Sequence, residues 1–355
     1  MQNKNNTSGK KLLVVDSTLR DGSHAIAHQF SKEHIKDYAR GAEKAGIELL
    51  IVGHGNGLGA SSIQLGKSLL SDKEMLMTAK KELKNTKLGA FLIPGFGTIT
   101  DDLDPAIEAG LETLMVATHC TEANVTKEHL LHAKKKELTT YGVLMMSHMI
   151  SSKELLAQAL LMQAYGVKGV LLMDSAGAYL PEDVTEKVGI LVNGLSVEVG
   201  FHAHNNLSLA VMNSVAAVEA GATIIDTTSR GMGAGAGNCQ LEVFVAVIEK
   251  MGFKTGLDLY TLMDNSDKII APIMTKPQVI DGIGLTSGLA GVFSGFGRHA
   301  VKAGKRFDVD PRDILVELGK REIIAGQEGI IIDVALYLKN KKNVKNKNAE
   351  IEALI

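Results

Sequence analysis

There is no tryptophan in this chain of 355 residues, there are only two cysteines, and no apolar run approaches the length of a membrane span. Cys120 and Cys239 form no CxxC pair and no disulfide framework, so two free thiols in a reducing cytoplasm are expected. A membrane helix needs roughly 20 consecutive apolar residues, and Met1 to Lys11 (MQNKNNTSGKK) lacks even the shorter apolar stretch of a signal peptide. An excess of one charge is also missing. Lys plus Arg number 38 against 40 for Asp plus Glu, so no overall field calls for nucleic acid or an anionic membrane as partner. What is present is the balance of a soluble globular protein, 45% hydrophobic and 22% charged, with a small molecule as the expected ligand.

From Leu12 to about Thr228, eight short apolar runs alternate with longer helical patterns: LLVVD, ELLIVG, LGAFLI, TLMVAT, GVLMMS, GVLLMD, VEVGFHAH and ATIIDTT. Each run is nearly continuous in Val, Ile, Leu and Met, which marks parallel strands covered on both faces rather than the alternation of a half-exposed sheet. The segments between them, such as KEHIKDYARGAEKAGI, repeat apolar residues at three and four and close on Gly46 or Gly166, as helices stopped by glycine do. Periodicity alone leaves a closed barrel and a large doubly wound sheet equally open. The motifs below favour a (β/α)₈ TIM barrel with a C-terminal helical domain. The expected division is a disordered N-terminus at 1–11, a barrel at 12–258, a helical domain at 259–338 and a solvated Lys/Asn-rich tail at 339–355.

The seventh run ends in Phe201-His202-Ala203-His204-Asn205-Asn206. Residues two apart on a strand share a face, so His202 and His204 present both imidazoles to one point, although an HxH pair by itself is a weak signal. The first run ends in Asp16-Ser17-Thr18-Leu19-Arg20-Asp21-Gly22-Ser23-His24. In a barrel the ends of strands one and seven open on the same face with only strand eight between them, so Asp21 can join the two histidines. Two imidazoles and a carboxylate leave coordination positions open, as a catalytic rather than a closed structural site requires. Beside them, Arg20 offers a guanidinium for an enolate or carboxylate oxygen and His24 an imidazole for proton transfer near neutral pH. The eighth run leads into Gly231-Met232-Gly233-Ala234-Gly235-Ala236-Gly237-Asn238, where glycines allow close backbone approach to a ligand.

At these residues the chain resembles the 4-hydroxy-2-oxovalerate aldolases, within the wider group that includes 3-hydroxy-3-methylglutaryl-CoA lyase and isopropylmalate synthase. The resemblance runs from about Leu12 to Leu338 and is carried by TLRDGSHAIAHQ, VATHCTEA, LMMSHMI, HAHNNLSL, GMGAGAGN, LEVF, DLYTLMD and DILVELG. It implies a barrel plus a helical domain, Mn²⁺ as cofactor with Mg²⁺, Co²⁺ or Zn²⁺ as alternatives, and cleavage of a 2-oxo acid to pyruvate and a short aldehyde. An acylating aldehyde dehydrogenase that receives the aldehyde is implied as partner. Asp21, His202 and His204 look like the metal ligands, Arg20 like the enolate-stabilising arginine and His24 like the base that removes the 4-hydroxyl proton. Asn238 stands where some members of the wider group place a further metal-facing amide.

Three positions depart from the pattern. Phe293, in LAGVFSGFGRH, replaces a tyrosine whose hydroxyl faces the aldehyde end of the site. Asn56 replaces an aspartate, and Arg230 adds a positive charge near the active face, read either as a sign of a larger or more anionic aldehyde or as a surface arginine. Asp174 and Ser175, ending the sixth run, are candidates for substrate hydrogen bonds or for helix capping, and Ser175 is counted among the substrate-binding residues with Arg20 and Phe293. His54, His148 and Cys239 are read as structural. The competing functions are a Claisen-type acyl-CoA lyase or synthase and a non-catalytic scaffold subunit.

Overall fold

The structure is a computed structural model that describes residues 12–324 and 326–352, with side chains as far as residue 344. The disorder expected for 1–11 lies outside the described residues. Each of the eight apolar runs falls on one strand: β1 Leu13–Asp16, β2 Leu49–Ile51, β3 Lys87–Leu92, β4 Thr113–His119, β5 Thr139–Met145, β6 Gly169–Asp174, β7 Glu198–Ala203 and β8 Ile224–Thr227. All neighbours pair in parallel, and β1 closes on β8 through Leu13↔Ile224 to Asp16↔Thr227, so the sheet is a closed barrel. Alternate residues of the strands pack the barrel interior, among them Val15, Leu49, Ile51, Met115, Tyr141 and Leu171. Their neighbours face outward into a larger core under the helices, which is why the runs carry apolar residues at successive positions.

The crossover helices are α1 Lys32–Ala45, α2 Asp72–Lys80, α3 Asp104–Glu108, α4 Lys127–Lys135, α5 Ser152–Ala164, α6 Pro181–Gly194, α7 Ala210–Glu219 and α8 Leu241–Lys250. In α1, Ile35, Tyr38, Ala39 and Ala42 form the buried stripe, and Ser31 with His34 closes a capping box at its start. Gly46 ends α1, and Gly166 follows α5, both with left-handed backbone that a Cβ would disfavour.

After the barrel come α9 Leu259–Asn265, α10 Ala271–Ile273, α11 Gly282–Ala290, α12 Gly297–Phe307, α13 Pro311–Lys320 and α14 Ile330–Glu352. Leu262 of α9 joins the barrel's outer core, with α9 lying on α1 and α8. A second core, built from Val292, Phe296, Ala300, Ile314, Leu318, Ile331 and Val334, belongs to the segment from Val292 onward. α14 continues as helix through the Lys/Asn-rich stretch, whose described side chains from Lys339 to Val344 are exposed.

This helical unit sits over the C-terminal ends of the strands. Ser294 donates to the Ser175 carbonyl from both its amide (3.0 Å) and its hydroxyl (2.9 Å). Gln278 Nε2 donates to Gly233 O at 2.7 Å, and His148 Nε2 meets Gly291 O at 3.0 Å. No described helix is long and apolar enough to cross a membrane.

Candidate active site

His202 is the last but one residue of β7 and His204 lies just past its end, held by an isolated bridge to Asn238 in the glycine loop. Asp21 opens a short 3₁₀ turn, Asp21–Ile26, immediately after the β1 loop. The ligand atoms of Asp21, His202 and His204 all lie within 4.8 Å of one another, and all three residues are buried. His202 Nε2 stands 3.2 Å and His204 Nε2 3.9 Å from Asp21 Oδ2. His202 Nε2 has no hydrogen-bond partner although it is buried, an arrangement that costs free energy unless a cation takes the lone pair. The donor set therefore fits a divalent ion.

Around it the electrostatics are sharply divided. Burial alone would raise the Asp21 carboxyl, but Arg20, His202 and His204 outweigh it and hold Asp21 well below the usual carboxylate range. Burial pulls His204 down to about 4 against the attraction of Asp21. His24, whose Nε2 is 3.7 Å from Asp21 Oδ1, is lowered by burial to about 4, so its imidazole is neutral and able to accept a proton at pH 7.

Arg20 reaches Asp21 Oδ2 at 3.6 Å and lies with its guanidinium 4.3 Å above the Phe91 ring. Asn238 Nδ2 donates to Asp21 Oδ2 at 2.9 Å and to Met232 O at 3.1 Å.

Sequence reasoning missed Asp226. This residue of β8 is level with His202 in the ladder, its Oδ2 accepts from His202 Nδ1 at 2.8 Å, and it is 3.5 Å from Arg20. Both ends of the pair are essentially excluded from water. A carboxylate on the far nitrogen fixes the ring's tautomer and leaves Nε2 for the metal. The available signal was the acidic residue inside ATIIDTT, a charge in an otherwise apolar strand. His28 was missed as well. It stacks on His54 with ring centroids 3.8 Å apart, and its edge meets His24 at 4.8 Å.

A cavity of about 470 Å³ opens at His24 and is walled by His28, Asn56, Gly233, Phe293 and Arg298. A second cavity of the same size, mostly apolar, lies over the ends of β3, β4 and β5, and Phe293 lines it too. Phe293 is thus placed between the two.

Ser175 is buried deeper, its hydroxyl accepting from Met146 N at 3.0 Å. Asp174 accepts from the amides of Ala178 and Tyr179 in the loop before α6, so it braces that loop and does not cap the helix, whose N-cap residue is Leu180. His148, His54 and Cys239 hold structural positions, with the two histidines on backbone carbonyls and the thiol fully buried. Arg230 requires correction. Its backbone is left-handed (φ 55), and its side chain turns outward to Asp267 at 2.8 Å and Ser266 at 3.3 Å, so it adds no charge to the active face. Arg230 is the surface arginine of the two readings, and its placement does not favour an anionic aldehyde.

A (β/α)₈ barrel with two histidines and a carboxylate converging at the C-terminal ends of its strands defines a metal-dependent barrel enzyme, and the HMGL-like family model matches residues 11–269. Residues 278–340 match a DmpG-like communication domain. The chain is 51% identical over 328 residues to 4-hydroxy-2-oxovalerate aldolase 2 of Salinispora arenicola, covering 92% of this chain and 94% of the relative. It is 49% identical over 338 residues to the 4-hydroxy-2-oxovalerate aldolase of Pectobacterium atrosepticum, covering 95% and 98%. The chain belongs to the 4-hydroxy-2-oxovalerate aldolase family, a group of carbon–carbon lyases. Among solved structures, the fold is shared with the carboxyl transferase domain of Rhizobium etli pyruvate carboxylase (TM-score 0.81, 15% identity), covering 95% of this chain and 61% of that one.

Proposed function

We propose that the chain cleaves 4-hydroxy-2-oxovalerate, or a related 4-hydroxy-2-oxo acid, to pyruvate and an aldehyde, with Asp21, His202 and His204 holding a divalent cation, Mn²⁺ in the first instance. The observation that carries this reading is the convergence of those three residues between Arg20 and His24, in a chain about half identical to relatives that bear the aldolase name. The cation, when bound, supplies Lewis-acid polarisation of the substrate's 2-oxo oxygen.

The protein's own groups do the rest. Neutral His24 takes the proton of the 4-hydroxyl, the oxygen's electron pair forms the aldehyde carbonyl, and the bond between carbons three and four breaks. Its electrons pass to the enolate of pyruvate. The Arg20 guanidinium, steadied by Asp226 and by the face of Phe91, is placed to hold the charge that develops on the enolate oxygen. Phe293, between the two cavities, forms the wall at the aldehyde end. The communication-domain match supports delivery of the aldehyde to an acylating dehydrogenase docked on the helical unit.

The relatives' names favour this over a Claisen-type acyl-CoA reaction, and a scaffold would gain nothing from a buried charged triad. The test is pyruvate release from 4-hydroxy-2-oxovalerate by protein stripped with a chelator and resupplied with Mn²⁺. Release restored only by metal supports the reading. No release from protein that binds Mn²⁺ tightly refutes the substrate.

A further inference from the structure

The residue on which that chemistry turns is not held by its own side chain. Among the described residues the His24 ring makes no hydrogen bond, and its Nε2 stands 3.7 Å from Asp21 Oδ1. Its place is set by the main chain of the turn that carries it. That turn is strained: after the short 3₁₀ segment, Ala27 (φ 53) and His28 (φ 64) are both left-handed without being glycine. Consecutive residues of this kind persist only where their surroundings hold them there.

Main-chain bonds hold it from within and beside, His28 N to Ser23 O at 2.8 Å and Leu69 N to His28 O at 3.1 Å, and side chains add to them. Ser23 Oγ meets His28 Nδ1 at 2.9 Å, the His28 ring stacks on His54, and Gln29 Nε2 donates to Lys67 O at 2.8 Å. All of these come from the barrel's own loops. One contact comes from the helical unit instead: Arg298 donates from its guanidinium, at 2.9 Å, to the carbonyl oxygen of His24 itself, which also accepts from Ala27 N at 3.3 Å. Arg298 is the second residue of α12 and lies five positions after Phe293. One short segment of the helical unit thus carries both the wall between the cavities and a grip on the base.

We propose that Arg298 is a positioning residue for His24, through which the helical unit sets the placement of the base in the barrel. This rests on the aldolase reading for its kinetic consequence, but not for its structural one. A displacement of the order of 1 Å in a reacting group costs up to about 100-fold in rate. A charged donor on a carbonyl at the exposed rim accounts for part of that, so a loss of about tenfold is expected.

The experiment compares the wild-type chain with Arg298→Ala, Arg298→Lys, His24→Ala and the His24→Ala/Arg298→Ala double variant, at saturating Mn²⁺. Arg298→Ala lowers kcat about tenfold while KM, Mn²⁺ affinity and the thermal midpoint hold. Arg298→Lys, whose ammonium can donate to the same carbonyl, recovers part of the loss. The double variant is no slower than His24→Ala, because positioning a missing base has no effect. In parallel, the His24 imidazole signal of isotope-labelled, Mg²⁺-loaded protein shifts in Arg298→Ala and returns towards its place in Arg298→Lys.

An unchanged imidazole signal with unchanged kcat overturns the proposal, as does an Arg298→Ala loss that multiplies with that of His24→Ala. A wild-type chain that releases no pyruvate refutes the aldolase reading instead, and the imidazole signal then decides the positioning role alone.

Discussion

Replacing Asp226 by asparagine removes one negative charge from the core of the site while leaving the shape of the side chain almost unchanged. The native carboxylate accepts from His202 Nδ1 at 2.8 Å with both residues out of water, and its same oxygen is 3.5 Å from Arg20. An asparagine oxygen can still accept from the ring, so the ring's orientation survives, but the charge that makes Nε2 a better electron donor is gone. Hydrogen bonds to a charged group contribute about 1.5–3 kcal/mol, and loss of a carboxylate behind a metal-bound histidine costs about 10–100-fold in metal affinity, which is the same range at 1.4 kcal/mol per tenfold. Arg20 loses one of its two carboxylate neighbours at the same time, so kcat should fall even when the metal is saturating.

The assay is a titration of chelator-stripped protein with Mn²⁺, followed by the free-ion paramagnetic signal, and then pyruvate release at saturating metal. The expected outcome is a Kd raised at least tenfold with a lowered kcat. A variant that binds Mn²⁺ as the wild type does would remove Asp226 from the account of the site.

Three further outcomes are expected. His24→Ala should lower kcat by about 10²–10⁴ with Mn²⁺ affinity retained, and a parallel collapse of metal binding would show that His24 is a ligand rather than the base. Gly55→Ala would bring a Cβ against the His24 ring at Nε2, closer than real Cβ contacts come, so the ring must move. Retro-aldol kcat should then drop by roughly 10–100-fold, and a value within twofold of wild type would refute the close approach. Asp16 is buried beside Thr18 and Tyr38, and burial raises it from 3.8 to about 6. Between those values the folded chain keeps a proton that the unfolded chain has released, so this group's contribution to stability falls as pH rises through that window. Asp16→Asn is free of that loss, and urea unfolding should show it gaining about 2–3 kcal/mol relative to wild type between pH 4 and pH 7; a flat difference would count against the buried charge.

Much of this molecule was legible in its sequence because the governing interactions are local. Eight strands buried on both faces leave eight continuous apolar runs, and two histidines at a spacing of two share a strand face whatever surrounds them. Asp21 became readable once the barrel placed the ends of β1 and β7 on the same rim with only β8 between them. Asp226 did not, because its role depends on the β7–β8 register that sets it level with His202, and no spacing along the chain states that register. Arg298 acts across 274 residues on a main-chain oxygen, an acceptor every residue possesses and no motif marks. Arg230 was placed on the wrong side because its left-handed backbone redirects the side chain, a conformation that an arginine does not announce.

Beside side-chain contacts from His148, Asn206 and Gln64, the helical unit grips the barrel rim through main-chain oxygens, those of His24, Ser175 and Gly233. A carbonyl is the same on every residue, so the side chains of those rim loops are free to drift or be redesigned without unseating the cover above them. Substrate preference and attachment of the cover can therefore evolve separately: a library that varies the loop side chains around His24 should keep the two units joined, while changes to Ser294, Gln278 or Arg298 should loosen them whatever substrate the loops have come to prefer.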